Sequence, residues 1–212
     1  MKRFDDIYKF FILQRQKIIN IFKLIYLLLL IFLVIMQVIY KDKSPSIFFY
    51  SLGRVFGQLS FLTYLITLLP GIGDRFELKN IILSTLKIYR RYIGILMFLF
   101  AVVHVYIVKY LFSTSLKSLL PQATFEVVGV IAFSIFLFLF FSSNNISMIK
   151  LKIWWYRIHR FTYLAMFFIF LHVSLVRFTI FSVLMIFIII LQVISFLAVY
   201  KRTHSLTGGK PI

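Results

Sequence analysis

The sequence predicts an all-α membrane protein, a six-transmembrane-helix bundle with both termini cytoplasmic. Three observations lead there. Hydrophobic residues make up 62% of the chain and charged residues only 14%, a balance too apolar for a soluble domain to cover its own surface. Six apolar runs have the roughly 20 residues that a bilayer core about 30 Å thick demands of a helix. Basic residues then gather at alternate ends of those runs, which orients the bundle.

The first run covers about Ile18 to Tyr40 and follows a cytoplasmic leader, residues 1–17. Its length, the acidic Asp5 and Asp6 in the leader and the lack of a small-residue cleavage site set it apart from a cleavable signal. The second, about Phe48 to Leu69, is expected to end at Pro70-Gly71, because proline cannot donate to the helix ladder. The third covers Arg91 to Phe112 and the fourth about Phe125 to Phe141, joined by the short connection "STSLKSLLPQAT". The fifth, Ile153 to Val176, and the sixth, Phe178 to Tyr200, are separated by little more than Arg177, so their turn is tight. Residues 18–200 thus form one domain, and 201–212 a cytoplasmic tail.

Counting basic residues near the span ends assigns the sides. The leader (Lys2, Arg3, Lys9, Arg15, Lys17), the second-to-third loop (Arg75, Lys79, Lys87, Arg90, Arg91), the fourth-to-fifth loop (Lys150, Lys152, Arg157) and the tail (Lys201, Arg202, Lys210) carry sixteen. The opposite side carries five: Lys41, Lys43, Lys109, Lys117 and Arg177. The formal charge of +18 is therefore read as topology and contact with anionic membrane lipid, with no nucleic-acid role. The absence of cysteine excludes disulfides, thiolate catalysis and cysteine-held iron-sulfur clusters on this chain.

Ionisable groups at membrane depth are costly and tend to be functional. Here they are His104 in span three, His159 and His172 in span five, and Arg54 in span two, whereas His204 falls in the tail. Spans three and five both run outward. His104 lies thirteen residues past Arg91 and His172 twelve past Arg160, so both sit roughly 18 to 20 Å from the cytoplasmic boundary. Two imidazoles level on parallel helices suit bis-histidine ligation of a haem iron; the alternative is that each bonds to a neighbouring helix. His159 lies near the cytoplasmic boundary, level with Arg90 and Arg91 rather than with a histidine, and is read equally as an iron ligand or an interfacial hydrogen-bonding residue. A bulge or tilt in span five would be needed to aim both of its histidines at span three. Arg54, close to the depth of the His104 and His172 pair, is either a partner for a cofactor carboxylate or a side chain snorkelling to the outer headgroups. It stands in "GRVFG", a small-xxx-small pair, Gly53 and Gly57, that allows close approach. Trp154, Trp155 and Tyr156 read as an interfacial belt. No carboxylate lies deep in a span, which argues against a proton relay, and Glu126 alone marks the outer membrane edge with acid.

The segments "RRYIGILMFLFAVVHVYIVKY" and "FSSNNISMIKLKIWWYRIHRFTYLAMFFIFLH" resemble the ferric-reductase-like transmembrane domain, a six-helix haem b family that moves electrons singly across a membrane. The likeness covers roughly residues 50–175, and in length it is most similar to the MsrQ/YedZ branch. It implies that His104 and His172 ligate an outer haem b, with His159 as the third family histidine and a second haem in question, since Arg90 or Arg91 stands where larger members keep a further histidine. Arg54 and Arg91 are candidate cofactor-side cations. FMN or a quinone is a candidate further cofactor. The resemblance also implies a bacterial cytoplasmic (inner) membrane, a cytoplasmic flavin reductase or the quinone pool as donor, and a soluble periplasmic redox partner such as a methionine-sulfoxide reductase. No G-x-G-x-x-G occurs, so no nucleotide domain is expected here. The basic-aromatic-proline motif of that branch is missing from "LLPQATFEVVG". Rival readings are a small transporter or assembly factor, a haem-free anchor, and a ferric or metal reductase subunit.

Overall fold

The structure, a computed structural model, describes residues 9–40, 47–111 and 120–206. Of the charges used above, Lys2, Arg3, Asp5, Asp6, Lys41, Lys43, Lys117 and Lys210 lie outside the described residues, as does most of the third-to-fourth connection. Six helices among the described residues are long and apolar enough to cross a membrane, and no strand occurs there. They are α1 (Arg15–Tyr40), α2 (Ile47–Arg75), α3 (Ile81–Val105) continued by a π-helical turn (Tyr106–Tyr110), α4 (Thr124–Ser142), a fifth span made of two helices, and α8 (Ile180–Leu206). Between spans four and five lies a short helix, α5 (Asn145–Leu151). The fifth span then consists of α6 (Ile153–His159) and α7 (Phe161–Val176).

Helix α8 runs six residues past the expected end at Tyr200, so the first part of the expected tail is helical, and three further places differ from expectation, each for a local reason. Helix α2 does not stop at Pro70 but runs through Pro70 and Gly71 to Arg75. A proline removes one donor, a loss that packed neighbours in a membrane bundle can absorb, and the turns beyond it are held by Arg75. Helix α3 starts ten residues before Arg91 because Asn80 caps it, its side chain accepting from the Ile82 amide at 2.8 Å. Lys87, Arg90 and Arg91 therefore ride on helix rather than on a loop. In the fourth-to-fifth connection, Asn144 caps α5 through the Ser147 amide at 2.7 Å, and Lys152, with φ 47°, turns the chain into α6.

The fifth span is broken at Arg160. Its amide bonds to Arg157 O at 3.2 Å, and its own carbonyl accepts from the Tyr163 amide at 2.9 Å, three-residue bonds that tighten the turn. Span three departs from α geometry as well, just past His104, where the Leu111 amide reaches back five residues to Tyr106 O at 2.9 Å. The irregularity expected in span five is thus a break, and a π-turn accompanies it in span three.

The main packing partners are α2 with α3 and α4 with α7, while α8 lies on α2 and α1 on α3. Phe61, Tyr64, Leu68, Phe98, Phe136 and Met185 belong to the central core where these pairs meet. A second cluster, with Met36, Phe49, Val103 and Ile107, packs the end of α1, the start of α2 and the end of α3 together. Polar bonds stitch the helices across this apolar ground. Ser60 Oγ donates to Met97 O at 3.0 Å, Tyr64 OH to Thr162 O at 2.8 Å and Tyr26 OH to Tyr92 O at 2.6 Å.

Arg75 is the densest of these knots. Its Nε donates to Ser195 Oγ at 2.7 Å and its fork to Tyr163 OH at 3.2 Å and to Gln192 Oε1, while the guanidinium stacks 4.1 Å from the Phe196 ring. Ser195 and Gln192 are buried on α8. One side chain at the end of α2 thus pins spans five and six together. Lysine cannot reproduce a three-way planar fork, and a buried amide left without a donor costs about 2 kcal/mol. Arg75→Lys is expected to lower the melting temperature of the purified protein by several degrees in a thermal-shift measurement; an unchanged melting point would show that the fork does not hold the bundle.

Candidate functional site

Helix geometry and two glycines build the site. In a regular helix the carbonyl of residue i accepts from the amide of residue i+4, yet a carbonyl has a second lone pair. That lone pair is usually shielded by the side chain at i+4, and a glycine there opens it to a neighbouring helix. On α2 the carbonyl is that of Gly53 and the i+4 residue is Gly57, whereas on α4 they are Phe125 and Gly129.

Each opened carbonyl holds one histidine. His104 Nδ1 bonds to Gly53 O at 2.8 Å, and His172 Nδ1 bonds to Phe125 O at 2.8 Å. Each ring lies flat on its glycine. A Cβ added at Gly57 would meet His104 Nδ1 at 3.0 Å, and one added at Gly129 would meet His172 Nδ1 at 2.7 Å. Because a carbonyl oxygen only accepts, both Nδ1 atoms carry the proton. In a neutral imidazole Nε2 is then left as a lone-pair donor, the tautomer that binds metals through Nε2.

The two histidines belong to different helix pairs, α2 with α3 and α4 with α7. The two sequence readings of these residues are therefore compatible: each histidine does bond to a neighbouring helix, and that bond prepares the other nitrogen. Among the described residues no group of three or more His, Cys, Asp or Glu is gathered to hold a metal ion. A metal at this pair would take its remaining donors from elsewhere, as the iron of a tetrapyrrole does, with His104 and His172 as the residues that would hold it.

His159 is built differently. Its Nε2 lies 3.3 Å from Ser142 Oγ. Ser142 Oγ also has backbone acceptors in Leu139 O, 2.9 Å away, and Phe138 O, 3.2 Å away; with the hydroxyl proton directed to either of them, the oxygen accepts and His159 Nε2 is the donor. The ring stacks on Trp155 with centroids 4.1 Å apart, and Trp155 Nε1 donates to Ser142 O at 2.9 Å. Trp155 thus faces inward onto the end of α4, while Trp154 and Tyr156 are exposed, as a membrane-interface belt requires.

The two candidate arginines take separate places. Arg54 is exposed, one position round α2 from the glycine whose carbonyl holds His104. Arg91 bonds to Asn145 Oδ1 and, at 3.0 Å, to Tyr92 OH, tying α3 to the start of α5. Reading the sequence singled out Gly57 but missed Gly129, Phe125 and Ser142. The signal was a spacing: Phe125 and Gly129 stand four apart, as Gly53 and Gly57 do.

A family model described as "Ferric reductase like transmembrane component" matches residues 56–170, more than half of the chain. The matched stretch contains Gly57, His104, Gly129 and His159 and ends two residues before His172. Neither the curated proteins nor the solved structures compared with the chain give a match.

In a spectrum of protein labelled with ¹⁵N-histidine, His104 and His172 are expected as neutral Nδ1–H tautomers, and His159 as the Nε2–H tautomer. Gly129→Ala must displace the His172 ring, whose contact would fall to 2.7 Å, whereas Gly57→Ala crowds His104 less at 3.0 Å. The His172 signal should accordingly move more in Gly129→Ala than the His104 signal in Gly57→Ala.

Proposed function

The chain belongs to the ferric-reductase-like transmembrane family, and from that premise we propose that it is the haem b-bearing electron carrier of a membrane oxidoreductase system, in which His104 and His172 would hold the haem iron. The observation that carries the reading is the matched pair of Nδ1-anchored imidazoles, with no hydrogen bond to either Nε2 among the described residues. When bound, a haem b supplies reversible one-electron chemistry at iron. The chain's own part is to hold two imidazoles in a fixed tautomer, to insulate the site with the apolar core between the helix pairs, and to strengthen both ligands through their carbonyl partners.

One haem, in the outer half of the bundle, is the proposed stoichiometry. His159 directs Nε2 to Ser142 and faces Arg90 instead of a second histidine, so it is assigned to the inner edge of the electron path as a hydrogen-bonding residue beside Trp155. Arg54 is proposed to meet a carboxylate at the cofactor's outer edge, and Arg91 to tether α3 to α5. Electrons are proposed to enter from a cytoplasmic flavin reductase or from the quinone pool and to leave to a soluble exterior partner. A periplasmic methionine-sulfoxide reductase would be that partner if the chain follows the MsrQ/YedZ branch. The termini are then cytoplasmic and the membrane is a bacterial inner membrane.

The purified full-length protein, reconstituted with haem b, is expected to show a Soret band and, after dithionite reduction, a sharp α-band. His104→Ala and His172→Ala should each abolish the dominant haem signal, and His159→Ala should leave it largely in place. A protein without either band refutes the electron-carrier reading and returns the transporter and anchor readings, which require no haem.

A further inference from the structure

Each histidine is fixed within its own helix pair, so the separation of the two imidazoles depends on how the pairs are held relative to each other. On the outer side a single ion pair among the described residues joins them: Lys109 Nζ on the π-turn of span three lies 2.8 Å from Glu126 Oε2 at the start of α4. The other described ion pairs, Lys87–Asp74 and Arg202–Glu77, involve the inner ends of spans two, three and six.

The position of this pair relative to the histidines is specific. Lys109 follows His104 by five residues, and the intervening turn is π-helical, closing from Leu111 to Tyr106. About 4.4 residues per π-turn place Lys109 roughly one turn outward on the histidine's own side of the helix, where an α-turn would carry it past that side. Glu126 adjoins Phe125, whose carbonyl holds His172 and whose ring tilts over that imidazole at 6.2 Å. The carboxylate is itself locked, since the Gln122 amide donates to the same Oε2 at 2.7 Å, at a helix N-terminus that favours negative charge. Both side chains are about three-quarters covered, 21% and 26% exposed, so the pair is less screened than a surface salt bridge.

We propose that Lys109 and Glu126 form a latch that fixes the spacing between the helix pair carrying His104 and the pair carrying His172, and thereby sets the geometry in which the two imidazoles face a shared ligand. Both are positioning residues. Its consequence for ligation rests on the haem reading above, but the latch is a property of the chain alone.

The chain has no cysteine, so spin labels can be placed one pair at a time. Labels at Tyr50→Cys and Leu175→Cys, exposed positions at the outer ends of α2 and α7, report the separation of the helix pairs by pulsed dipolar spectroscopy on the haem-free protein in lipid nanodiscs. One narrow distance distribution is expected in the parent. Lys109→Ala and Glu126→Gln should each broaden or lengthen it, and Lys109→Arg, which preserves the ion pair, should restore it. In haem-loaded protein the same two disruptive variants should shift the low-spin electron paramagnetic resonance signal of the iron and its midpoint potential, with Lys109→Arg close to the parent. Unchanged distance distributions in Lys109→Ala and Glu126→Gln overturn the latch whatever the haem does. A latch that responds in a protein with no haem signal leaves this inference standing and removes the electron-carrier reading instead.

Discussion

Inside hydrocarbon a polar group has no water to turn to, and every donor and acceptor must find its partner in protein. Most of the architecture follows from where those partners are. Ser60, Tyr64 and Tyr26 bond to carbonyls of other helices, and Arg75 satisfies its guanidinium on a hydroxyl, a phenol and an amide from two other spans. Each such bond is also a constraint on helix placement, because lipid offers no hydrophobic drive for one helix to pack on another. The polar minority of this chain therefore decides which faces of the greasy majority meet.

The histidines turn the same rule to another use. An imidazole has two nitrogens, and satisfying one against a helix carbonyl dictates the state of the other. Glycine at i+4 makes the carbonyl reachable, so Gly57 and Gly129 do as much for the pair as the residues that accept the bonds. At His159 the partner is a hydroxyl that also bonds to a backbone carbonyl, and the nitrogen engaged is the opposite one, Nε2. Three histidines in one membrane domain thus fall into two chemical kinds, separated by the choice between a carbonyl and a serine.

Irregular backbone is concentrated near these groups. The π-turn follows His104 directly, and the break at Arg160 follows His159. Both alter the angle between residues that a straight helix would hold fixed, and π-turns recur at functional sites for that reason. The Arg160 break lies between His159 and His172, which thirteen regular residues would leave some 140° apart, and the π-turn lies between His104 and Leu111.

Much of this was legible in the sequence. Span number and approximate limits follow from apolar run length and a rise of about 1.5 Å per residue, quantities that local chemistry controls. Run length does not register a helix end held by a long-range contact, and so the continuation of α2 through Pro70 to Arg75 became visible only with Gln192 and Ser195 in place. Nor does it register a cap acting beyond the apolar stretch, which is why α3 begins at Asn80 rather than at Arg91. The pairing of Lys109 with Glu126, the roles of Gly129 and Ser142, and the protonated nitrogen of each histidine were likewise beyond its reach. The sequence by itself determined that this is a six-span helical membrane protein with histidines on two helices, because hydrophobic length and spacing are properties of each segment alone. Which nitrogen each histidine presents, and to what, was decided only by the tertiary structure, because a hydrogen bond to another helix depends on how two segments are turned toward each other.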